Sequence, residues 1–265
     1  MDGGRRTHSV FLGGPGVRYE ERPPHPALAP WVAVHWRIEA DVDFELRIPP
    51  DGCMDVIGAD AIGSFTTFGV ARLPAGSVSS GIRFHPGGFP ALFGVPASEL
   101  LDLRVPLRDV VRRCRSLERL ATEAAPPDPL ARAVWSASDL GTIARSFGYG
   151  ERQLRRRIVA ATGHAPKRLM RIARMQRLLL DGRGESWARS AVEHGYYDEA
   201  HMANDVRDLA GATPHALLRS PILPSDVPAV SLPFNHRQLS AVSVTDGVGD
   251  VERRPNSEKF VVLTI

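Results

Sequence analysis

Arg152, Arg155, Arg156 and Arg157, with Gln153 among them, are the densest group of chemically capable side chains in this 265-residue sequence. A guanidinium group is planar and stays charged, so it can donate two parallel hydrogen bonds to guanine O6 and N7 while lying beside phosphates. Lys167, Arg168, Arg171, Arg174 and Arg177 follow within the same 26 residues, where Glu151 is the nearest acid. This is the electrostatic footprint of a phosphate-binding surface. The charge is segregated. Residues 1–127 hold 14 Lys/Arg against 15 Asp/Glu, residues 128–220 hold 15 against 10, and residues 221–265 hold 4 against 5, so the net charge of +3 arises in one segment.

Those arginines need a helix to aim them, and the sequence supplies one inside a repeat. Ala144-Arg145-Ser146-Phe147-Gly148-Tyr149 recurs 47 residues later as Ala191-Val192-Glu193-His194-Gly195-Tyr196. A small residue ahead of a helix-ending glycine lets two helices approach, and the glycine takes the left-handed turn between them. Each copy leads into an amphipathic helix, with Leu154 and Ile158 on the buried stripe of the first and Met202, Val206 and Leu209 on that of the second. The pattern is helix, tight turn, helix, twice. The second helix of such a unit lies in the major groove, so Arg152, Arg155 and Arg156, which face away from the stripe, would meet base edges.

Ahead of the helical half the period is two. Val32, Val34, Trp36 and Ile38 alternate with polar or small residues, as do Phe44, Leu46 and Ile48, which predicts half-buried strands. Turns at Pro49-Pro50-Asp51-Gly52, Pro74-Ala75-Gly76 and His85-Pro86-Gly87-Gly88 separate further strands at 54–57, 65–70 and 81–84. After Pro106 the stripe Leu107, Val110, Val111, Cys114, Leu117, Leu120, Ala121 predicts one amphipathic helix, and Ala125-Pro126-Pro127-Asp128-Pro129 stops it. The expected fold is therefore α+β and multidomain. A β-rich, barrel-like domain spans 1–127, an all-α domain with two helix-turn-helix units spans 128–220, and a Pro-rich tail spans 221–265. The prolines and the charge split predict that 128–220 is a separable unit. No run approaches the ~20 apolar residues of a membrane span, and the first residues lack the apolar core of a signal peptide, so a cytoplasmic protein without membrane contact is expected. Cys53 and Cys114 are too far apart for a disulfide framework or a zinc-finger spacing.

Residues 138–218 resemble the DNA-binding domain of the AraC family of transcription regulators. The likeness runs through Leu140–Gly148, Glu151–Arg157, Thr162–Lys167 and Gly195-Tyr196-Tyr197-Asp198-Glu199-Ala200-His201-Met202, and ends at Leu209-Ala210-Gly211-Ala212-Thr213-Pro214. It implies two helix-turn-helix units joined by one long helix, Pro166 to about Leu180, a ~22 Å spacer that sets two recognition helices in successive major grooves. It also implies double-stranded DNA as partner, with RNA polymerase and a second copy of the chain as further partners. The DNA-contacting set is then Arg152, Gln153, Arg155, Arg156, Arg157, Lys167 and Arg171 from the first unit and spacer, with Glu199, His201 and Asn204 from the second. The second recognition helix departs from the pattern. Asn204 and Val206 stand where the family often has arginine and phenylalanine, and Asp205 and Asp208 add charge that repels phosphates. The first unit is expected to carry most base contacts, and the second to position weakly or to read an adenine through Asn204. Ile158 replaces a usual phenylalanine.

Residues 18–110 resemble a β-rich domain of uncharacterised ligand found ahead of such regulators, through Pro50-Asp51-Gly52-Cys53-Met54-Asp55 and Arg83-Phe84-His85-Pro86-Gly87-Gly88. Trp36, Asp55, Arg83 and His85 fall near strand ends and are expected to line the mouth of a small-molecule effector site. Zinc on Cys53, His35 and His85 lacks a metal-site spacing. Catalysis by Cys53 with His85 lacks a phosphate loop, a nucleophile elbow or a zinc-protease motif. The reading is a non-enzymatic protein without metal or cofactor, a regulator that activates or represses transcription under effector control, and its rival is a sequence-independent architectural DNA binder.

Overall fold

The computed structural model describes residues 16–111, 116–136, 139–181 and 186–219. The tail expected at 221–265 lies outside the described residues, as does Cys114. In the first half, strands β1 (Val17–Arg22), β2 (Val32–Ala40), β4 (Met54–Ile57), β5 (Asp60–Ile62), β7 (Ser77–Phe84) and β8 (Arg104–Pro106) form one antiparallel sheet in the order β1-β2-β7-β4-β5-β8. Strands β3 (Phe44–Ile48) and β6 (Gly69–Leu73) pair separately. Alternate side chains point to opposite faces. Trp36 and Ile38 of the large sheet thus share a core with Leu46, Ile48, Ala71 and Leu73 of the small one, which covers that face. Met54, Val56, Ile82 and Phe84 on the other face pack under α1 (Gly88–Phe93), α2 (Leu107–Val110) and α3 (Leu117–Glu123). With both faces covered, all four residues of β4 are buried.

Two local expectations are corrected. The strand expected at 65–70 begins only at Gly69, and the preceding residues form a loop with a separate task. The single helix expected after Pro106 is broken: Val111 is extended, and Ser116 caps a new helix by accepting a hydrogen bond from the Arg119 amide. Strands β1, β5 and β8 and helix α1 were not foreseen, since the three strands are short or polar on one side.

The helical half contains α4 (Pro129–Ser136), α5 (Leu140–Phe147), α6 (Glu151–Thr162), α7 (Pro166–Asp181), α8 (Trp187–Glu193), α9 (Glu199–Ala210) and α10 (Pro214–Arg219). One core unites them. Ile143, Leu154, Ile158, Leu169, Ile172, Met175, Ala191, Met202, Val206 and Leu209 belong to a single buried cluster centred on α7, the long spacer the resemblance implies.

The halves are packed together through buried contacts. Cys53 belongs to the helical core, and Gly52 lies so near it that a Cβ there would sit 3.1 Å from Leu169 and 3.2 Å from the Trp135 ring. The Gln176 amide donates to the Pro50 carbonyl at 2.7 Å. The loop before β6 grips both helix-turn-helix units: Ser64 Oγ meets His164 Nε2 at 2.6 Å, Arg168 donates to the Thr66 carbonyl, and Phe68 covers Gly211 at the end of α9 so closely that a Cβ would sit 2.1 Å from its ring. The Gly211 φ of +66° already requires glycine. His164 is so enclosed that burial, with the nearby Arg168 charge, lowers its imidazole to about 4.

Candidate nucleic-acid interface

The repeat is built twice with the same hydrogen bonds. Gly148 (φ +65°) ends α5, its amide donates to the Arg145 carbonyl, and the Tyr149 amide reaches back to the Ala144 carbonyl at 2.9 Å. Gly195 (φ +77°) ends the α8 turn, its amide donates to the Val192 carbonyl, and the Tyr196 amide reaches the Ala191 carbonyl at 2.8 Å. This six-residue closure needs a left-handed residue in the middle, which is why glycine stands there both times. Asp139 caps α5, Ser186 caps α8 and Asp198 caps α9 through the His201 amide at 2.7 Å, so each helix starts at a defined residue.

Leu154 and Ile158 anchor α6, and Glu151, Arg152, Gln153, Arg155 and Arg156 are exposed on the remaining surface of its first two turns. The β half holds α6 from the other end, where Leu101 and Ala97 crowd Gly163 and Gly87 approaches Ala161. The first two turns of α6 are therefore uncovered. On α9, Met202, Val206 and Leu209 are buried while Glu199, His201, Asn204 and Arg207 are exposed. The Asn204 side-chain oxygen accepts from Arg207 at 3.0 Å, and His201 Nδ1 accepts from the Tyr197 amide at 3.2 Å with its ring edge-on to Tyr196. Arg207 was missed in the sequence. Its signal is its spacing, three residues after Asn204 and eight after Glu199, on one helix face.

Of the nine clustered cations only Arg152, Arg155, Arg156 and Lys167 are exposed. The rest hold the protein together. Arg157 meets Asp128 at 2.8 Å and lies 4.8 Å over the Tyr149 ring. Arg168 is bonded to Thr66, Arg174 lies 5.0 Å over Tyr196, and Arg177 donates to the Trp135 carbonyl. Arg171 bridges α7 to α9 through Asp205 at 2.5 Å and Asp208 at 2.6 Å. Arg157 and Arg171, expected among the DNA contacts, are engaged in these internal pairs, and Asp205 and Asp208, expected to repel phosphates, face Arg171. A pattern of charges along a helix cannot say which acid lies opposite which base until the helices are packed.

Residues 143–220 match the family described as a helix-turn-helix domain, and residues 20–106 match a domain of unknown function, DUF6597. The chain carries an AraC-type DNA-binding domain. No curated protein matches it. The AraC-type domain makes the chain a DNA-binding transcription regulator, and among the described residues no helix is long and apolar enough to cross a membrane.

In front of the AraC-type domain, the four expected effector-lining residues part company. Trp36, Asp55 and Arg83 do meet: the Trp36 indole donates to Asp55 at 2.7 Å, and Arg83 Nε lies 3.4 Å from the same carboxylate and 3.9 Å from Asp51. All three are fully buried, so they form an internal polar knot between the two sheets, where an open mouth was expected. Burial pushes the Asp55 carboxyl up to about 7, against the pull of Arg83. Gly81 completes the knot by leaving room for Trp36, whose ring would lie 2.5 Å from any Cβ there. His85 sits elsewhere, just past the end of β7 in a cleft with Pro26, Pro30, Pro126 and Arg132. Alternation across the sheet explains the sharing of a face by Trp36, Asp55 and Arg83, while His85 lies beyond the strand and escapes the rule.

Proposed function

We propose that the protein is a sequence-specific transcription regulator that reads double-stranded DNA chiefly through α6 and is controlled by a small molecule taken up by its N-terminal half. The observation that carries the reading is the bare N-terminal half of α6. It presents Arg152, Gln153, Arg155 and Arg156 on a helix whose other end is clamped, next to a second unit that presents His201, Asn204 and Arg207. The 16-residue α7 spaces the units by ~24 Å along a rigid rod, consistent with both helices meeting one face of a duplex. Lys167 supplies a phosphate contact, and contacts with RNA polymerase and a second copy of the chain belong to the same reading. So does the division into a β half at 1–127, a DNA-binding half at 128–220 and the tail.

The test is selection of duplexes from a random pool by the full chain, followed by affinities at one fixed salt concentration for the selected duplex and a shuffled one. A specific reader favours the selected duplex by about a thousandfold or more. Equal affinities with a full salt dependence would make the chain a sequence-independent binder instead.

A further inference from the structure

Where the β half, the linker and the helical half meet there is a cleft of about 560 Å³. Prolines are six of its eleven lining residues, so much of its wall is apolar and stiff. His85, Arg132 and Trp135 are set among them. The size is that of a small-molecule site. Its charge is the informative part. Asp128 is the one acid on the wall, and its carboxylate is already engaged: one oxygen accepts from the Leu130 amide at 3.0 Å, the other from Arg157 at 2.8 Å. Arg132 is exposed on α4 and lies close enough to His85 for its charge, after burial, to help lower the imidazole below its usual range. The cleft therefore offers flat apolar walls and a cation.

We propose that this cleft binds a small, flat, apolar molecule bearing one anionic group, held by Arg132, and that Asp128 relays its presence to α6. The proposal rests on the reading of a small-molecule-controlled regulator and gives that control a place. The relay is short. Asp128 stands in the Pro126–Pro129 linker that forms one wall, and its partner Arg157 belongs to the recognition helix and packs over Tyr149 in the turn between α5 and α6. An occupant pressing on the linker changes the hold on Arg157, and with it the pose of the helix that carries Arg155 and Arg156. Coupling requires only that the occupant bind one linker position better than the other.

The probes are benzoate, 1-naphthoate and indole-3-acetate, titrated calorimetrically into the full chain, with methyl 1-naphthoate as the uncharged control. At least one acid is expected to bind at one site per chain, and the ester at least tenfold more weakly. Arg132→Gln should weaken the acid at least tenfold while leaving ligand-free duplex affinity unchanged, and Ala29→Trp, which fills the cleft from an exposed position, should abolish binding. Asp128→Asn should retain the acid yet lose the change in duplex affinity that the acid causes in the native chain. No binding of any probe at millimolar concentration, or binding that survives both Arg132→Gln and Ala29→Trp, overturns the site. An Asp128→Asn chain whose duplex affinity still responds like the native one overturns the relay. Each of these results leaves ligand-free, sequence-specific DNA binding standing, whereas failure of the native chain to discriminate duplexes would sink the DNA reading and leave the calorimetry intact.

Discussion

Replacing Asp205 by Asn separates a charge that repels DNA from a charge that holds two helices. Asp205 is 7% exposed, and its carboxylate meets Arg171 at 2.5 Å, while the Arg171 side chain is about one-third open to solvent. Removing one partner of a fully buried ion pair costs ~3–5 kcal/mol, and of an exposed pair ~0–1 kcal/mol. With one partner inside and the other partly screened, and with Asp208 still contacting Arg171 at 2.6 Å, the loss should lie between these limits, at about 2 kcal/mol. If the two packed halves unfold as one cooperative unit of roughly 200 residues, that lowers Tm by about 4–8 °C. The assay is thermal and urea unfolding of the full chain, with Asp208→Asn, whose carboxylate is 60% exposed, as the control expected to cost under about 1 kcal/mol. A cycle with Arg171→Met should return a coupling of roughly 1–2 kcal/mol between positions 171 and 205. If Asp205→Asn left stability unchanged or raised it while tightening selected and shuffled duplexes alike, Asp205 would be a phosphate-facing charge and the bridge between α7 and α9 would carry no weight.

Three further outcomes are expected. Arg155→Ala or Arg156→Ala should each cost ~1–3 kcal/mol on the selected duplex and relax preference at one base position, with Asn204→Ala costing less; a larger loss for Asn204→Ala than for both arginine variants would make α9 the main reader. His164 titrates near 4 in the fold and near 6.5 unfolded, so the unfolded chain takes up the proton first, and stability present above pH 6.5 drains away toward pH 4 by about 3 kcal/mol. The native-minus-His164→Gln stability difference should follow that curve, and a difference independent of pH from 7 to 4 would refute a neutral imidazole locked against Ser64. Asp55→Leu strands the buried Arg83 guanidinium beside Asp51, and urea unfolding should register a loss of about 3–5 kcal/mol; a variant as stable as the native chain would show that the Trp36–Asp55–Arg83 knot does not hold the β half together.

Local chemistry was enough to find the two helix-turn-helix units in the sequence. The two glycine-centred turns and the stripes at Leu154/Ile158 and Met202/Val206/Leu209 are set by neighbours within one or two helical turns, so their spacing survives projection onto one dimension. The strands of period two were legible for the same reason, while β5 and β8, three residues each, were too short to show a period. What the fold alone decided is which polar groups meet. Arg171 lies 34 residues from Asp205, Arg157 lies 29 from Asp128, and Ser64 lies 100 from His164. Ion pairs and hydrogen bonds act over a few ångströms in space and place no mark along the chain, so an arginine that reads DNA and one that fastens a helix look alike until packing sets an acid beside one of them and leaves the other bare.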